Sequence, residues 1–196
     1  LVLDSLTRYA MALREIGLAA GEPPATKGYP PSVFAAMPRL LERAAPLAGA
    51  GSITGFFTVL MEGDDLSDPV ADSARSLLDG HIVLSRSLAA RGHFPAIDVL
   101  SSASRVAHAV ATKEALAVAT KARSILALEK DTQELKSMGA YVPGQSPAAD
   151  QALELGGRIG EWARQASDDQ TTSDEAMARL TTLLAKPVAP VRGGAK

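Results

Sequence analysis

His93-Phe94-Pro95-Ala96-Ile97-Asp98-Val99-Leu100-Ser101-Ser102-Ala103-Ser104-Arg105 is the stretch at which the organisation of this chain changes. Before it, short apolar runs alternate with segments of helical periodicity; after it, the apolar residues follow a helical period throughout. That order predicts an α/β region followed by an all-α region.

The same stretch has an aromatic ring near one end and a cation at the other. Pro95 fixes its own φ and disfavours helix at Phe94, so the ring is expected to stand out as a platform. The serines at 101, 102 and 104 predict a tight turn, from which Arg105 projects at the start of a helix. A ring suits a base and an arginine suits a phosphate. The alternatives are a Phe94 that fills core and an Arg105 that is an ordinary surface residue.

Composition excludes several classes of protein. The chain has 196 residues, of which 46% are apolar and 21% charged, with no cysteine and a formal net charge of −2. These values describe a globular protein without a disulfide scaffold or a thiolate metal site. The charge gives no basic field for nucleic acid, and no apolar run approaches membrane-spanning length.

The chain opens at Leu1-Val2-Leu3-Asp4, an apolar strand that ends in an acid, without an initiator methionine. It looks like a piece cut inside a β-strand. A carboxylate at the carboxyl end of a buried strand lies where α/β sheets collect ligands. From the residues alone, Asp4 is either a metal ligand or the N-cap of the next helix. Arg8 stands four residues later, so an Asp4–Arg8 helix pair is also open.

The next segments continue the α/β pattern. Residues 17–31 are rich in glycine and proline, which predicts a structured loop instead of a helix. Ser32 is expected to cap a helix that reaches Ala44 and kinks at Pro38. Residues 53–61 are almost all apolar or β-forming without alternation, which predicts a strand buried on both faces, as in a parallel sheet.

An acidic run follows that predicted strand: Glu62-Gly63-Asp64-Asp65-Leu66-Ser67-Asp68. It suggests a cation site, but it lacks the spacing and the terminal glutamate of an EF-hand loop, so a surface loop is preferred. A helix over residues 70–78, a strand over 81–84 and a helix to residue 91 come next. The three histidines share no helix face, which favours packing or surface positions over metal binding.

Beyond residue 110 every predicted element is a helix. One apolar stripe contains Val118, Ala122, Ile125, Leu128 and Leu135. Gly139 and Pro143-Gly144 end that helix.

A second stripe contains Ala152, Leu155, Ile159, Trp162 and Ala163, and Trp162 is expected to anchor a core. Thr172 with Glu175 predicts a capping box for a last helix that carries Met177, Leu180 and Leu184.

Several blocks of this sequence resemble one known family. Pro95-Ala96-Ile97-Asp98, followed after three residues by Ser102-Ala103-Ser104-Arg105, resembles the signature of rotary ATPase α/β subunits. Other blocks resemble the branch of flagellum-specific and type III secretion ATPases: Asp4-Ser5-Leu6-Thr7-Arg8-Tyr9-Ala10, Gly21-Glu22-Pro23-Pro24, Gly28-Tyr29-Pro30-Pro31-Ser32-Val33-Phe34 and Glu62-Gly63-Asp64-Asp65-Leu66 with Asp68-Pro69. Residues 1 to about 110 match closely, and the remainder matches in length and helical character.

The resemblance implies a fold and a division of the chain. Residues 1–110 would be the C-terminal half of a RecA-like P-loop NTPase core, with a mostly parallel sheet, starting at the Walker B strand. Residues 111–185 would be an all-α C-terminal domain, and residues 186–196 a disordered tail.

It also implies an ATPase that uses Mg²⁺ and ATP, with a role for each site residue. Asp4 would hold the Mg²⁺, and Arg8 would contact a phosphate. Ser5 would lie in the nucleotide site, where ATP synthase β subunits usually carry Asn. Phe94 would stack on the adenine, where many relatives have Tyr. Arg105 would be an arginine finger that reaches the neighbouring subunit's site, which requires a ring.

The partners implied by the resemblance are a homohexamer, a γ-like coiled-coil stalk protein, export chaperones and an export gate, but no nucleic acid. The protein would be cytoplasmic and peripheral at the inner-membrane export apparatus, without insertion. Residues 17–31 would line the central pore, and Asp65 and Asp68 would face the stalk. The flagellar branch is preferred over virulence secretion on residues 4–12. The alternatives are a non-catalytic helical docking module or an ATP synthase β-type subunit.

One motif is missing from the sequence. No Gly-x-x-x-x-Gly-Lys-Ser/Thr occurs in it, so nothing here cradles the β- and γ-phosphates. By resemblance, the P-loop, the water-activating glutamate and a β-barrel would lie upstream. We therefore expect that this polypeptide alone neither binds ATP tightly nor hydrolyses it.

Overall fold

The computed structural model describes residues 1–49, 51–61, 63 and 68–185. The chain forms two compact units by its internal contacts, Leu1–Asp79 and Gly80–Lys196. The predicted tail and Asp65, with most of the acidic run, lie outside the described residues. In the described part of the chain no helix is long and apolar enough to cross a membrane. The domain boundary at residue 110 stays a prediction.

The first unit contains short strands and three helices. In chain order its elements are β1 (Val2–Leu3), α1 (Leu6–Ala19), a 3₁₀ turn (Thr26–Gly28), α2 (Pro31–Leu41), β2 (Pro46–Leu47), β3 (Gly51–Ser52), β4 (Phe56–Phe57) and α3 (Pro69–Leu77). β1 pairs with β4 in parallel, and β2 pairs with β3 antiparallel. The predicted parallel pairing is therefore confirmed for the two strands that lead to Asp4 and to Thr58.

Its core is made by the three helices. Each of them contributes a pair of buried residues four positions apart, which places the pair on one helix face. The pairs are Leu6 and Ala10, Val33 and Met37, and Val70 and Ala74, with Tyr29 and Leu41 beside them.

Two helix boundaries differ from the predicted ones. α1 continues to Ala19, so Gly17 lies inside the helix and the loop begins after it. α2 begins at Pro31 with Pro30 as its N-cap, and ends at Leu41. The prediction that Ser32 caps this helix is wrong, because the φ of Pro31 suits the first helical position and places Ser32 inside the first turn.

The strand predicted over residues 53–61 is the largest error. Only Phe56–Phe57 forms a strand, and Phe56 is exposed. Phe57 and Val59 pack against the core, whereas Phe56, Thr58 and Leu60 are exposed, so one face of this run is uncovered within the described residues. Apolar composition predicted burial that the strands described here do not supply.

The second unit contains a hairpin followed by helices. Its elements are β5 (Gly80–Leu84), α4 (Arg86–Ala90), β6 (Ile97–Ser104), α5 (Ala107–Val110), α6 (Lys113–Ser137), α7 (Pro147–Ala163) and α8 (Ser173–Ala185). β5 and β6 pair antiparallel, a pairing that the sequence did not reveal. The predicted strand over residues 81–84 is confirmed, as is the all-helical order after β6.

The helices α6, α7 and α8 share a second core, formed by Ala122, Ile159, Leu180 and Leu184. Trp162 packs against it, and its indole N–H donates to the carbonyl of Ala176 at 3.2 Å. Leu128 and Leu135 are 39% and 48% exposed, so the predicted stripe on α6 covers the core only in its first half.

The predicted capping box of α8 is confirmed. The Thr172 hydroxyl accepts from the Glu175 N–H at 3.3 Å, and the Glu175 carboxylate accepts from the Thr172 N–H at 3.0 Å. The hydrogen bonds from the Thr172 backbone and hydroxyl hold the pKa of Glu175 below its ordinary value. The two residues are only three positions apart, which is why the sequence pattern was sufficient.

A buried carboxylate closes the connection between α6 and α7. Asp150 is 8% exposed, accepts from the Tyr141 hydroxyl, and accepts from the Gly144 N–H at 3.0 Å. Asp150→Ala leaves both donors without this acceptor, so we expect the free energy of unfolding of the helical part to fall by about 1–3 kcal/mol. Urea denaturation followed by Trp162 fluorescence measures it, because Trp162 is the single tryptophan.

The matched control is Asp131→Ala on α6, which removes an exposed carboxylate. We expect it to change the free energy of unfolding by less than about 0.5 kcal/mol. Equal effects of the two substitutions would contradict a structural role for the Asp150 carboxylate.

Candidate functional site

Asp4 lies at the carboxyl end of β1, beside the carboxyl end of the parallel neighbour β4. Its Oδ1 accepts from the Thr58 hydroxyl at 2.9 Å, and the Thr58 N–H donates to the Leu3 carbonyl at 3.1 Å. Asp4 is exposed. The carboxylate is thus oriented by the adjacent strand and open to solvent at the sheet edge where α/β folds bind ligands.

The N-cap of α1 is Ser5, so the interpretation of Asp4 as the cap is wrong by one residue. The Ser5 hydroxyl accepts from the Arg8 N–H at 3.3 Å, and Ser5 is only 4% exposed. The Leu6 N–H donates to the Thr58 carbonyl at 2.9 Å. The Ser5 side chain therefore caps α1, and the Leu6 backbone ties the start of the helix to Thr58.

Arg8 is exposed in the first turn of α1. The helix pair with Asp4 is not formed, since the described contacts include no ion pair between them. The same turn is held by a residue that the sequence analysis missed. The Thr7 hydroxyl accepts from the Leu60 N–H at 2.9 Å. Nothing in the local sequence marks this contact, because the two residues are 53 positions apart.

The oxygen atoms of Asp4 and of the neighbouring Thr58 hydroxyl are ligands that suit a hard cation which keeps most of its water. In the described part of the chain no cluster of three His, Cys, Asp or Glu side chains could enclose a metal ion. A single carboxylate with a hydroxyl beside it matches Mg²⁺, which typically binds one or two carboxylates, water and phosphate oxygens. Asp4 is the residue here that would hold it.

Asp68 has a structural role in the first unit. Its carboxylate caps α3, accepting from the Val70 and Ala71 N–H groups at 2.9 and 3.1 Å. It also lies 3.8 Å from the Lys27 ammonium group, and this ion pair links the 3₁₀ turn to the start of α3.

Phe94 lies in the second unit, between α4 and β6. It is 56% exposed, so the interpretation of Phe94 as a core residue is wrong. Its carbonyl accepts from the Gln165 N–H at 2.9 Å, which anchors the backbone after α7 to the backbone that carries the ring. The ring has the exposure that stacking on a planar ligand requires.

Arg105 follows β6 directly, in a bend before α5. It is exposed, and it does not begin a helix as predicted, because Val106 is the N-cap of α5. The predicted serine turn is also wrong, since residues 101, 102 and 104 belong to the strand. The hydroxyl groups nevertheless bond locally as expected: the Ser102 hydroxyl donates to the Asp98 carbonyl at 2.6 Å.

The strand before Arg105 is organised by Asp98. Its carboxylate accepts from the Leu100 and Ser101 N–H groups, both at 3.0 Å, and from the Ser101 hydroxyl at 2.8 Å. Partial burial raises the pKa of Asp98, but these hydrogen bonds outweigh burial and leave the pKa below its ordinary value. The carboxylate is therefore ionised at neutral pH.

The predicted site residues fall in both units. Asp4, Ser5 and Arg8 are brought together around the first turn of α1, and Phe94 and Arg105 flank β6 in the other unit.

Two sequence profiles of known protein families match consecutive parts of this chain. Residues 1–104 match the sequence profile of the ATP synthase alpha/beta family, nucleotide-binding domain. Residues 111–182 match that of the T3SS EscN ATPase C-terminal domain.

A flagellum-specific ATP synthase of Pseudomonas aeruginosa is 53% identical over 186 residues, which are 94% of this chain and 41% of that protein. The assembled ATPase EscN of the enteropathogenic E. coli type III secretion system superposes with a TM-score of 0.88 at 46% identity, covering 94% of this chain and 44% of that one. A structure of assembled EscN with its central stalk EscO superposes with a TM-score of 0.81 at 44% identity, and it covers the same shares of the two chains.

The chain thus spans about two fifths of the curated relatives that it matches. The profile of the nucleotide-binding domain covers more than half of the chain. The relatives just named are a flagellum-specific ATP synthase and an ATPase of a type III secretion system. The chain belongs to the ATP synthase alpha/beta family, in the branch of the flagellum-specific and type III secretion ATPases.

Proposed function

We propose that this chain is the C-terminal part of a flagellar protein-export ATPase, whose complete subunit hydrolyses ATP in a homohexameric ring and thereby drives type III secretion. The observation that carries the proposal is the exposed Asp4 carboxylate at the carboxyl edge of parallel strands, oriented by Thr58. Family membership supports nucleotide binding at this edge.

Each residue has a role in the proposed reaction. Asp4 is the residue that would hold Mg²⁺, and the ion would neutralise phosphate charge when bound. Arg8 projects from the first turn of α1 and pairs with a phosphate. Ser5 fixes that turn. Phe94 offers its exposed ring to the adenine, and Arg105 stabilises the charge that develops on the γ-phosphate in the neighbouring subunit's site.

The partners follow from the same proposal. EscN has been solved with its central stalk, which supports a stalk partner for this chain. The loop after α1 faces the central pore, and Asp68 faces the stalk. Export chaperones and the export gate meet the helical part. The protein is cytoplasmic and peripheral to the inner membrane at the export apparatus.

The flagellar assignment rests on residues 4–12 alone, because a flagellar relative and a type 3 secretion relative match the chain at nearly equal identity, 53% and 52%. The alternatives, a docking module and an ATP synthase β-type subunit, have no observation in their favour.

The test compares two polypeptides. The complete subunit is expected to hydrolyse ATP in a Mg²⁺-dependent manner, with kcat of about 1–10³ s⁻¹. Residues 1–196 alone are expected to show no hydrolysis and, by calorimetry, a Kd for ATP weaker than about 1 mM, because Asp4, Arg8, Phe94 and Arg105 do not cradle the β- and γ-phosphates. An inactive complete subunit overturns the proposed function, and tight binding by residues 1–196 overturns the division of the site.

A further inference from the structure

β6 carries a large irregularity immediately before Arg105. His81 pairs with Ala103 and Val83 pairs with Asp98, so Ile82 of β5 stands opposite the four residues 99–102 of β6. We call residues 99–102 the β6 bulge. A bulge of this size loses ladder hydrogen bonds, and its backbone groups need other partners.

Side chains supply partners for every carbonyl of the β6 bulge. The Arg123 guanidinium of α6 donates to the carbonyls of Val99, of Leu100 at 3.1 Å and of Ser102 at 3.2 Å. The Ser101 carbonyl lies 3.1 Å from Nε2 of His81. A guanidinium is a rigid planar fork with five N–H donors, so one residue can hold three carbonyls in one geometry.

Arg123 is also anchored. Its neighbour Ala122 is in the core of the helical part, with Ile159 of α7 and Leu180 of α8. We call Arg123 and the three carbonyls that it holds the Arg123 clamp. The clamp connects the β6 bulge to a packed three-helix core. The last clamped carbonyl belongs to Ser102, three residues before Arg105, so the clamp sets the backbone from which Arg105 projects.

We propose that Arg123 is a positioning residue for Arg105, acting through the three carbonyls of the β6 bulge. The proposal rests on the proposed function, in which Arg105 stabilises the transition state of ATP hydrolysis. It assigns α6 a role in catalysis although no α6 side chain belongs to the predicted site. The sequence did not show this role, because Arg123 is a single arginine on a helix and lies 21–24 residues from its partners.

The test uses the complete subunit with Arg123→Ala and Arg123→Lys. Arg123→Ala is expected to lower kcat about 10- to 100-fold with KM for ATP changed less than about threefold, because a misplaced catalytic group costs rate more than binding. Arg123→Lys should fall in between, because a lysine keeps the charge without the fork. The thermal midpoint should stay near that of the parent, since these hydrogen bonds are exposed. The matched control is Arg164→Ala, which removes an exposed arginine that caps the end of α7 and pairs with Glu161.

A double-mutant cycle separates positioning from a general structural effect. In an Arg105→Ala background, adding Arg123→Ala should lower kcat by less than about twofold, since residues that act as a unit are non-additive. Hydrogen exchange of the amides of residues 99–104 should accelerate in both Arg123 variants.

Three results overturn the proposal: a parental kcat in Arg123→Ala, a loss equal to that of Arg164→Ala, or a full multiplicative loss in the Arg105→Ala background. Failure of the proposed function is distinguishable from these results. If the proposed function is wrong, Arg105→Ala keeps the parental activity. Faster hydrogen exchange in residues 99–104 of the Arg123 variants still reports whether the clamp exists.

Discussion

Replacing Arg105 with alanine in the complete subunit is expected to lower kcat for ATP hydrolysis by about 10³- to 10⁵-fold while nucleotide binding persists. The reason is electrostatic. A guanidinium aimed at the γ-phosphate stabilises charge that exists only in the transition state, so its removal is felt in rate and little in ground-state binding. The position of Arg105, exposed directly after β6, leaves the side chain at the surface of its own subunit.

The measurement is steady-state hydrolysis together with binding of a fluorescent ATP analogue. Arg105→Lys should recover only part of the rate, because an ammonium group cannot make the bidentate contact of a guanidinium. Arg164→Ala is the control for loss of an exposed positive charge. A variant Arg105→Ala that hydrolyses ATP at the parental rate would show that Arg105 is structural.

Mixing variants tests whether Arg105 acts on the neighbouring subunit. Subunits with Arg105→Ala and subunits with Asp4→Ala are each expected to be inactive alone. In a ring with head-to-tail interfaces, random mixing gives about one interface in four an intact Asp4 on one side and an intact Arg105 on the other. Activity should then reappear. Its absence in assembled mixed rings would place both residues in the same subunit's site.

The features that the sequence predicted correctly are local ones. The capping box of α8 depends on Thr172 and Glu175, three residues apart, and the stripe on α7 depends on helical periodicity. The identity of the site residues came from long sequence blocks, and the structure then placed Asp4 at the expected strand end.

The wrong predictions of local structure have two physical causes. Neighbouring residues can compete for one role, and contacts between residues distant in sequence can decide the outcome. Asp4 and Ser5 are both good N-caps, and the sequence could not show that Thr58, which follows β4, donates a hydrogen bond to the Asp4 carboxylate. Three serines in a row of small residues predicted a turn, whereas Asp98 and Arg123 stabilise an extended bulge. Of these two, Arg123 comes from a helix that begins after the stretch has ended.

Loss of the Asp4 carboxylate is the second large effect that we expect. Asp4→Ala in the complete subunit should reduce hydrolysis about 10²- to 10³-fold, because the site loses the only carboxylate proposed to hold Mg²⁺ near the phosphates. Asp4→Asn should be nearly as impaired, since it keeps an acceptor for Thr58 but not the charge. Asp131→Ala is the control for removal of an exposed carboxylate.

Thr58→Val separates orientation of the carboxylate from its presence. Valine has a similar shape but cannot donate to Asp4 Oδ1, and outer partners of a metal-binding carboxylate typically contribute about 10- to 100-fold in affinity or activity. The Mg²⁺ concentration for half-maximal rate should rise in Thr58→Val, and high Mg²⁺ should restore much of the rate; in Asp4→Ala it should not. The strand pairing is retained in Thr58→Val, because the Thr58 N–H still donates to the Leu3 carbonyl. If Thr58→Val responded to Mg²⁺ as Asp131→Ala does, the Asp4–Thr58 hydrogen bond would have no part in metal binding.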